Sequence, residues 1–301
     1  MAAETFRPTR SRLRLQVWRL IHRVRSARPG PYSRVVAPAW SSPSWTLYFC
    51  YVPDGQPTAF HRATAASLRA QGHNILIVAA AESEASLSPA WRDLSDALIW
   101  KSLEGYDFSG YAIGLRHLSA VSAGCDATVL NDSVIGPFCD LNTLFSDKPW
   151  DLVGLTSSEE QEAHIQSYAF MMRNLTSDRL NKLRSIFLEN RCYSDYKTVV
   201  RNQECAFARV ASRSMSVGSI WPGKINATML DPTGLLNKGF PFIKRSHFDK
   251  FGYLITGEEK AELVRQRDRF LEQATFNSST PASITVGRER EANELHFALA
   301  S

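Results

Sequence analysis

Long apolar runs are missing from this sequence. No stretch approaches the ~20 residues that span a bilayer, so a spanning helix is not expected. Arginines interrupt every apolar stretch near the start, so no secretory h-region is expected either. Cysteine is sparse: Cys50, Cys125, Cys139, Cys192 and Cys205 are scattered, odd in number and never in CxxC spacing. This excludes a disulfide framework and the usual zinc spacings, and points to reduced thiols in a cytosolic setting. No internal repeat is present, which excludes a solenoid or propeller. Residues 1–34 also lack acid, with Glu4 alone against nine arginines and no lysine.

That asymmetry decides what the charge means. The overall +5 divides into +8 for residues 1–34 and −3 for the remainder. A mildly acidic body is a poor general surface for nucleic acid, and no nucleic-acid partner is expected. With 44% hydrophobic and 22% charged residues, the chain has the composition of a globular protein able to bury a core.

Three zones are expected: an arginine-rich arm and linker over 1–44, a core domain over 45–255, and a C-terminal helix and tail over 256–301. In the core, apolar runs of strand length alternate with helical stretches. Trp45–Val52, Asn74–Ala80, Asp96–Trp100, Asp126–Leu130 and Trp150–Leu155 read as strands. Thr58–Ala70 and Ser109–Leu118 read as helices. Strands apolar throughout and separated by helices predict an α/β fold with a mainly parallel central sheet flanked by helices. Ligands of such sheets bind beyond the strands' carboxyl ends. On a helix starting near Ser11, Leu13, Val17, Leu20, Ile21 and Val24 share one face with Trp18 beside them. Arg12, Arg19, Arg23 and Arg25 take the flanks and far side. This is the pattern of a helix lying in a membrane interface, although docking on the acidic core would use the same amphipathicity.

Several polar groups follow the strands. Asn131-Asp132-Ser133 ends the fourth strand, either as a plain turn or as a holder of a divalent cation between phosphates. His164, Gln166 and Tyr168 alternate with apolar residues, as on one face of a strand that binds sugar or phosphate, or of a half-exposed edge strand. Glu204 opens a helix ending near Ser212, as a first-turn cap or a general base. Lys244 and Arg245 follow Gly239-Phe240-Pro241-Phe242-Ile243, where two cations can clamp a diphosphate or simply be solvated.

The order of these motifs resembles the rhamnan synthesis protein F family. Leu130-Asn131-Asp132-Ser133 with Gly136-Pro137 comes first, then Asp151-Leu152-Val153-Gly154-Leu155-Thr156 and His164-Ile165-Gln166-Ser167-Tyr168. Glu204 and Pro241-Phe242-Ile243-Lys244-Arg245 follow. Tyr51, Asp54 and Gly55 ahead of a helix agree, as does Gly105-Tyr106-Asp107-Phe108. The resemblance covers roughly Trp45 to Phe248. Leu103 departs from it, standing where the family tends to carry asparagine, and only Asp132 is acidic in the Asn-Asp-Ser turn.

The resemblance implies a GT-A-like glycosyltransferase of bacterial surface polysaccharide synthesis. Its donor would be a nucleotide-diphosphate sugar such as dTDP-rhamnose, and its acceptor a growing glycan or lipid-linked glycan. A catalytically silent scaffold of the same fold is the alternative. Tyr51, Val52, Pro53, Asp54 and Asp107 would line the nucleotide pocket with Asn131 and Asp132. Asp132 would hold Mg²⁺ or Mn²⁺, and Lys244 with Arg245 would meet the diphosphate. His164, Gln166 and Ser167 would contact sugar or acceptor, with Glu204 as base and Asp151 in reserve. The arm would keep the enzyme at the inner face of the cytoplasmic membrane.

Overall fold

A computed structural model of the protein describes residues 3–9 and 13–279, with side chains described to residue 274. The expected tail beyond 279 lies outside the described residues. Two of the chain's first elements are β1 (Glu4–Thr5) and α1 (Leu13–Arg25). They are followed by β2 (Ala27–Pro29), β3 (Ser33–Ala37), β4 (Ser44–Tyr51), α2 (Ala59–Ala70), β5 (Ile75–Ala80), β6 (Ala97–Lys101) and β7 (Cys125–Asn131). Beyond these come β8 (Val134–Ile135), β9 (Leu152–Ser158), β10 (His164–Ile165), β11 (Ala169–Leu175), β12 (Arg191–Tyr193), β13 (Val217–Trp221) and β14 (Ile243–Lys244).

One large sheet runs in the order β1-β13-β9-β11-β7-β4-β5-β6-β3, with β10 added to β9. The block β7-β4-β5-β6 is parallel, as is the pair β13-β9. Antiparallel β11 joins β7 to β9, and β3 closes the far edge against β6. The fold is thus the α/β architecture expected, a large sheet with a parallel central block and helices on both faces.

Burial on both faces explains the unbroken apolar runs. Trp45, Leu47 and Phe49 of β4 enter one core layer, while Tyr48 and Cys50 enter the other. In β5, Leu76 and Val78 alternate with Ile75 and Ile77 in the same way. A strand with two buried faces reads as a near-continuous apolar run, and the polar exception in β4, buried Thr46, is paired with His73 Nδ1 at 2.8 Å. The helix Tyr106–Val121 lies so close over β4 that a Cβ on Gly110 would come within 2.3 Å of the Phe49 ring. Thr58 caps α2 by accepting the His61 N–H.

The first zone departs from the expectation of a separate arm. β1 pairs with β13 and β3 with β6, so residues 1–44 supply both edge strands of the large sheet, while β2 pairs with β12 in a separate two-stranded sheet. Arg19, expected on the solvated side of α1, is only 4% exposed. The reason is charge: Arg19 is ion-paired with buried Glu162, whose other oxygen is 3.5 Å from Arg209. Among the described residues, no helix is long and apolar enough to cross a membrane.

Candidate functional site

Four parallel strands end at Tyr51, Ala80, Lys101 and Asn131, and the polar side chains gather beyond these ends. The β7 end carries Asn131, whose Nδ2 donates to Asp107 Oδ2 at 3.0 Å. Asn131 Oδ1 accepts from Ser133 N and Oγ, at 3.1 and 2.6 Å. The turn is therefore braced from within and aims its amide at Asp107.

Asp107 sits in the first turn of the Tyr106–Val121 helix, where its Oδ1 also accepts the Phe108 N–H at 2.9 Å. Two successive left-handed residues bring it there, Gly105 at φ 87° and Tyr106 at φ 54°. A side chain at Gly105 is excluded twice, since its Cβ would lie 2.5 Å from Cys192 Cβ. Lys101, wholly buried at the end of β6, donates to the carbonyls of Ser102 and Glu104 at 2.7 and 2.8 Å. It pins the loop that delivers Asp107.

Glu204 arrives from the opposite side, at the end of a π-helical segment, Val200–Glu204, that leads into the helix Cys205–Ala211. Its Oε1 accepts from both Ser167 N and Ser167 Oγ at 3.2 Å. Burial, and then the neighbouring Glu204 charge, push the Asp107 carboxyl up to about 6. Lys244 balances the two acids. Burial pulls its ammonium down to about 8, against the opposing pull of Glu204 and Asp107. Its Nζ lies 3.9 Å from the Tyr168 ring centroid and 3.3 Å from Ser133 Oγ.

The short pairing of β14 with β8 sets this register, with Lys244 opposite Val134. Arg245 then reaches back over the turn, donating to the Asp132 carbonyl at 3.0 Å and lying 3.9 Å from Asp132 Oδ2. That same Oδ2 accepts the Tyr51 N–H at 2.9 Å. His61 Nδ1 accepts the Thr58 N–H, so the ring proton sits on Nε2, 3.2 Å from Asp132 Oδ2. Two N–H donors and a guanidinium thus converge on Oδ2 of the residue expected to hold the divalent cation. Among the described residues, no group of three His, Cys, Asp or Glu side chains could hold a metal ion.

Asp107, Asn131, Lys244, Ser167 and Glu204 thus form one cluster, with Asp132 and Arg245 at its edge. Gln166 is turned to other partners, its Oε1 accepting from Thr156 Oγ1 at 2.6 Å and from Thr228 Oγ1 at 3.4 Å. Tyr51 ends β4, and Val52, Pro53 and Asp54 lead into the turn after it, where Asp54 caps Gln56 N at 3.1 Å and Val52 is buried. Two expectations are corrected. His164 to Tyr168 is not one strand: β10 stops at Ile165 and the rest is the turn into β11. The His164 ring, still within β10, meets the Glu162 carbonyl at 2.8 Å. Asp151 precedes β9, at the end of that strand remote from the cluster. Both of its oxygens are engaged, by Arg179 at 2.9 Å and by Ser216 N and Oγ at 2.9 and 2.8 Å.

Sequence reasoning missed His61, Lys101 and a pair of aromatic rings. Tyr106 and Tyr196 are 41% and 64% exposed with ring centroids 6.2 Å apart. Burial, then the Glu204 and Asp107 charges, raise the Tyr196 phenol. The Thr58-x-x-His61 spacing signals only a helix cap, and nothing in sequence joins residue 61 to 132. A cavity of ≈410 Å³ lined by Phe138, Cys139, Leu236, Phe240 and Gln266 holds none of the cluster.

No family model matches the chain. It is 30% identical over 214 residues to virulence protein VirA of Vibrio anguillarum, covering 68% of this chain and 65% of that protein. The chain thus spans just under two thirds of that relative's length. Among solved structures, galactosyltransferase LgtC in complex with donor and acceptor sugar analogues is similar at TM-score 0.42 and 16% identity, over 79% of this chain and 98% of that one. The bifunctional glycosyltransferase WbbM matches at TM-score 0.41 and 8% identity, over 70% of this chain and 47% of that one. HddC from Yersinia pseudotuberculosis matches at TM-score 0.38 and 8% identity, over 59% of this chain and 90% of that one. All three lie below a TM-score of 0.5 and carry no weight in reading the site.

Proposed function

We propose that the chain is a glycosyltransferase that moves a sugar from a nucleotide-diphosphate donor to a glycan or lipid-linked glycan hydroxyl. The observation that carries this reading is the cluster itself: two carboxylates, Asp107 and Glu204, facing a half-buried ammonium, Lys244, beyond the carboxyl ends of parallel strands. Glycosyl transfer asks for that set. A base must take the acceptor proton, and a cation must receive the charge of the leaving diphosphate.

The acceptor oxygen bonds to the anomeric carbon as the carbon–oxygen bond to the diphosphate breaks. Glu204, oriented by the two Ser167 donors, takes the acceptor proton. Asp107 keeps the neighbouring field negative and is itself oriented by Asn131. Lys244 and Arg245 receive the diphosphate charge, so no resident metal is required. Tyr106 and Tyr196 offer ring faces to a sugar or base. Rhamnose as the transferred sugar rests on the motif resemblance alone.

The test is a calorimetric and turnover screen of the full chain against nucleotide sugars, with and without EDTA. Binding of a thymidine-diphosphate sugar and its slow hydrolysis or transfer, unchanged by EDTA, is expected. Binding without any bond cleavage across donors and acceptors would leave a silent scaffold.

A further inference from the structure

α1 docks on the protein in an inverted way. A helix on a globular protein normally turns its apolar stripe inward. Here Leu13, Val17, Leu20, Ile21 and Val24 are 75%, 50%, 67%, 43% and 77% exposed. At 3.6 residues per turn they fall within an arc of about 100°. The opposite side is polar and held down. Arg19 pairs with Glu162, and its Nε donates to the Arg201 carbonyl at 2.6 Å. Trp18 stacks on His22 at 3.8 Å and lies under the Arg201 guanidinium at 4.4 Å. Arg14, Arg23 and Arg25, all exposed, flank the outward stripe.

We infer that this face of α1 is a docking surface for an anionic lipid membrane. A contiguous exposed aliphatic stripe marks an interaction surface rather than a solvated one. Its rim of arginines selects the partner. A second copy would bring the same cations against themselves, whereas anionic head groups meet them while the aliphatic side chains enter the acyl boundary. Residue order ties this surface to the cluster. Arg201 lies three residues before Glu204 and Glu162 five before Ser167, so Arg19 grips both segments whose meeting makes the Ser167–Glu204 contact. The lipid-facing helix is thereby fixed relative to the acidic pair, an arrangement suited to an acceptor carried on a lipid. Only that last consequence rests on the transferase reading.

Vesicle co-sedimentation of the full chain tests the surface. Truncation is unsuitable, because β1, β2 and β3 would go with the arm. The chain should sediment with phosphatidylglycerol-containing vesicles at low salt and leave them at high salt or with pure phosphatidylcholine. Each arginine contributes roughly fivefold to partitioning, so Arg23→Gln with Arg25→Gln should weaken it about 25-fold. Leu20→Asp with Val24→Asp should abolish it while nucleotide-sugar binding stays at the parent level. Lipid binding is read without donor or turnover, so its failure is separate from failure of the transferase reading. Indifference to anionic vesicles at low salt, or an aspartate variant that binds like the parent, overturns the inference. So does a dimer, seen by light scattering, that ignores vesicles and dissociates on the aspartate substitutions.

Discussion

The two ends of the sheet each hold an aspartate, and the protein treats them in opposite ways. Asp151 stands before β9 with its carboxylate satisfied. Burial pushes its pKa up, but Ser216 N–H, Ser216 Oγ–H and Arg179 together hold it below the usual carboxylate range. Asp107 stands beyond β6, where burial and Glu204 push it up to about 6 despite the bonds from Phe108 N–H and Asn131. The difference lies in what surrounds each acid. Three donors on Asp151 stabilise a fixed charge and tie β9 to the residue before β13. A second acid beside Asp107 keeps a proton close at hand, as acid–base chemistry needs.

Removing the acids should separate the two ends most sharply. Glu204→Gln keeps shape and hydrogen bonding but takes no proton, and loss of a general base typically costs ~10²–10⁴-fold in rate. Asp107→Asn should lie at the lower end of that range, while Asp151→Asn leaves turnover unchanged. Steady-state rates with saturating donor decide this. Equal rates for the Glu204 variant and the parent would remove the base from the cluster.

The cations give the next largest contrast. Lys244→Ala with Arg245→Ala should weaken donor binding by roughly 10–100-fold, the range expected for lost charged hydrogen bonds. Arg179→Ala, at the Asp151 end, should leave donor binding as it is. Calorimetric titration with donor and with acceptor distinguishes the two. Equal losses for both ligands would make the Lys244–Arg245 pair a brace of the Asn131–Ser133 turn.

A smaller effect should appear in the pH profile of kcat/KM. Asp107 must be ionised to keep the field beside the base negative, so the rate should rise through about 6. Lys244 must be protonated to receive diphosphate charge, so the rate should fall through about 8. Lys244→Arg should remove the alkaline limb, because a guanidinium does not deprotonate in this range. A profile flat from 5 to 9 would disconnect both groups from the chemistry.

Much of this contrast was legible in sequence, and the illegible part has a common cause. The strand runs around Trp45, Ile75 and Val129 announced themselves because both faces of each strand are buried. Asn131, Asp132, Lys244 and Glu204 stood out because strand ends and a helix start are where ligands meet parallel sheets. Asp151 misled for the same reason: it adjoins a strand, and sequence does not say at which end of the sheet an adjoining acid will stand. His61 and Lys101 stayed hidden because their roles depend on partners across the fold, Asp132 for one and two loop carbonyls for the other. Residues 1–44 read as an appendage because their arginines outweigh their short strands. One of those arginines, Arg19, is buried by Glu162, far away in sequence.

The finest test of the comparison is stability against pH, where the two aspartates should act with opposite sign. The Asp151 pKa is depressed by folding, so its contribution is present above the unfolded value near 3.9 and is lost as pH falls through the folded value. With a side chain 32% exposed, it is discounted for solvent screening to about 1 kcal/mol. Asp151→Asn should therefore lower stability near neutral pH by that amount, and the deficit should close in acid. The Asp107 pKa is raised, so the folded state holds the proton more tightly than the unfolded one between about 4 and about 6. Stability therefore falls as pH rises through that window, and Asp107→Asn should flatten the decline. Urea unfolding at a series of pH values measures both slopes. Slopes of the same sign for the two variants would mean that the ends of the sheet do not differ in the way their hydrogen bonds imply.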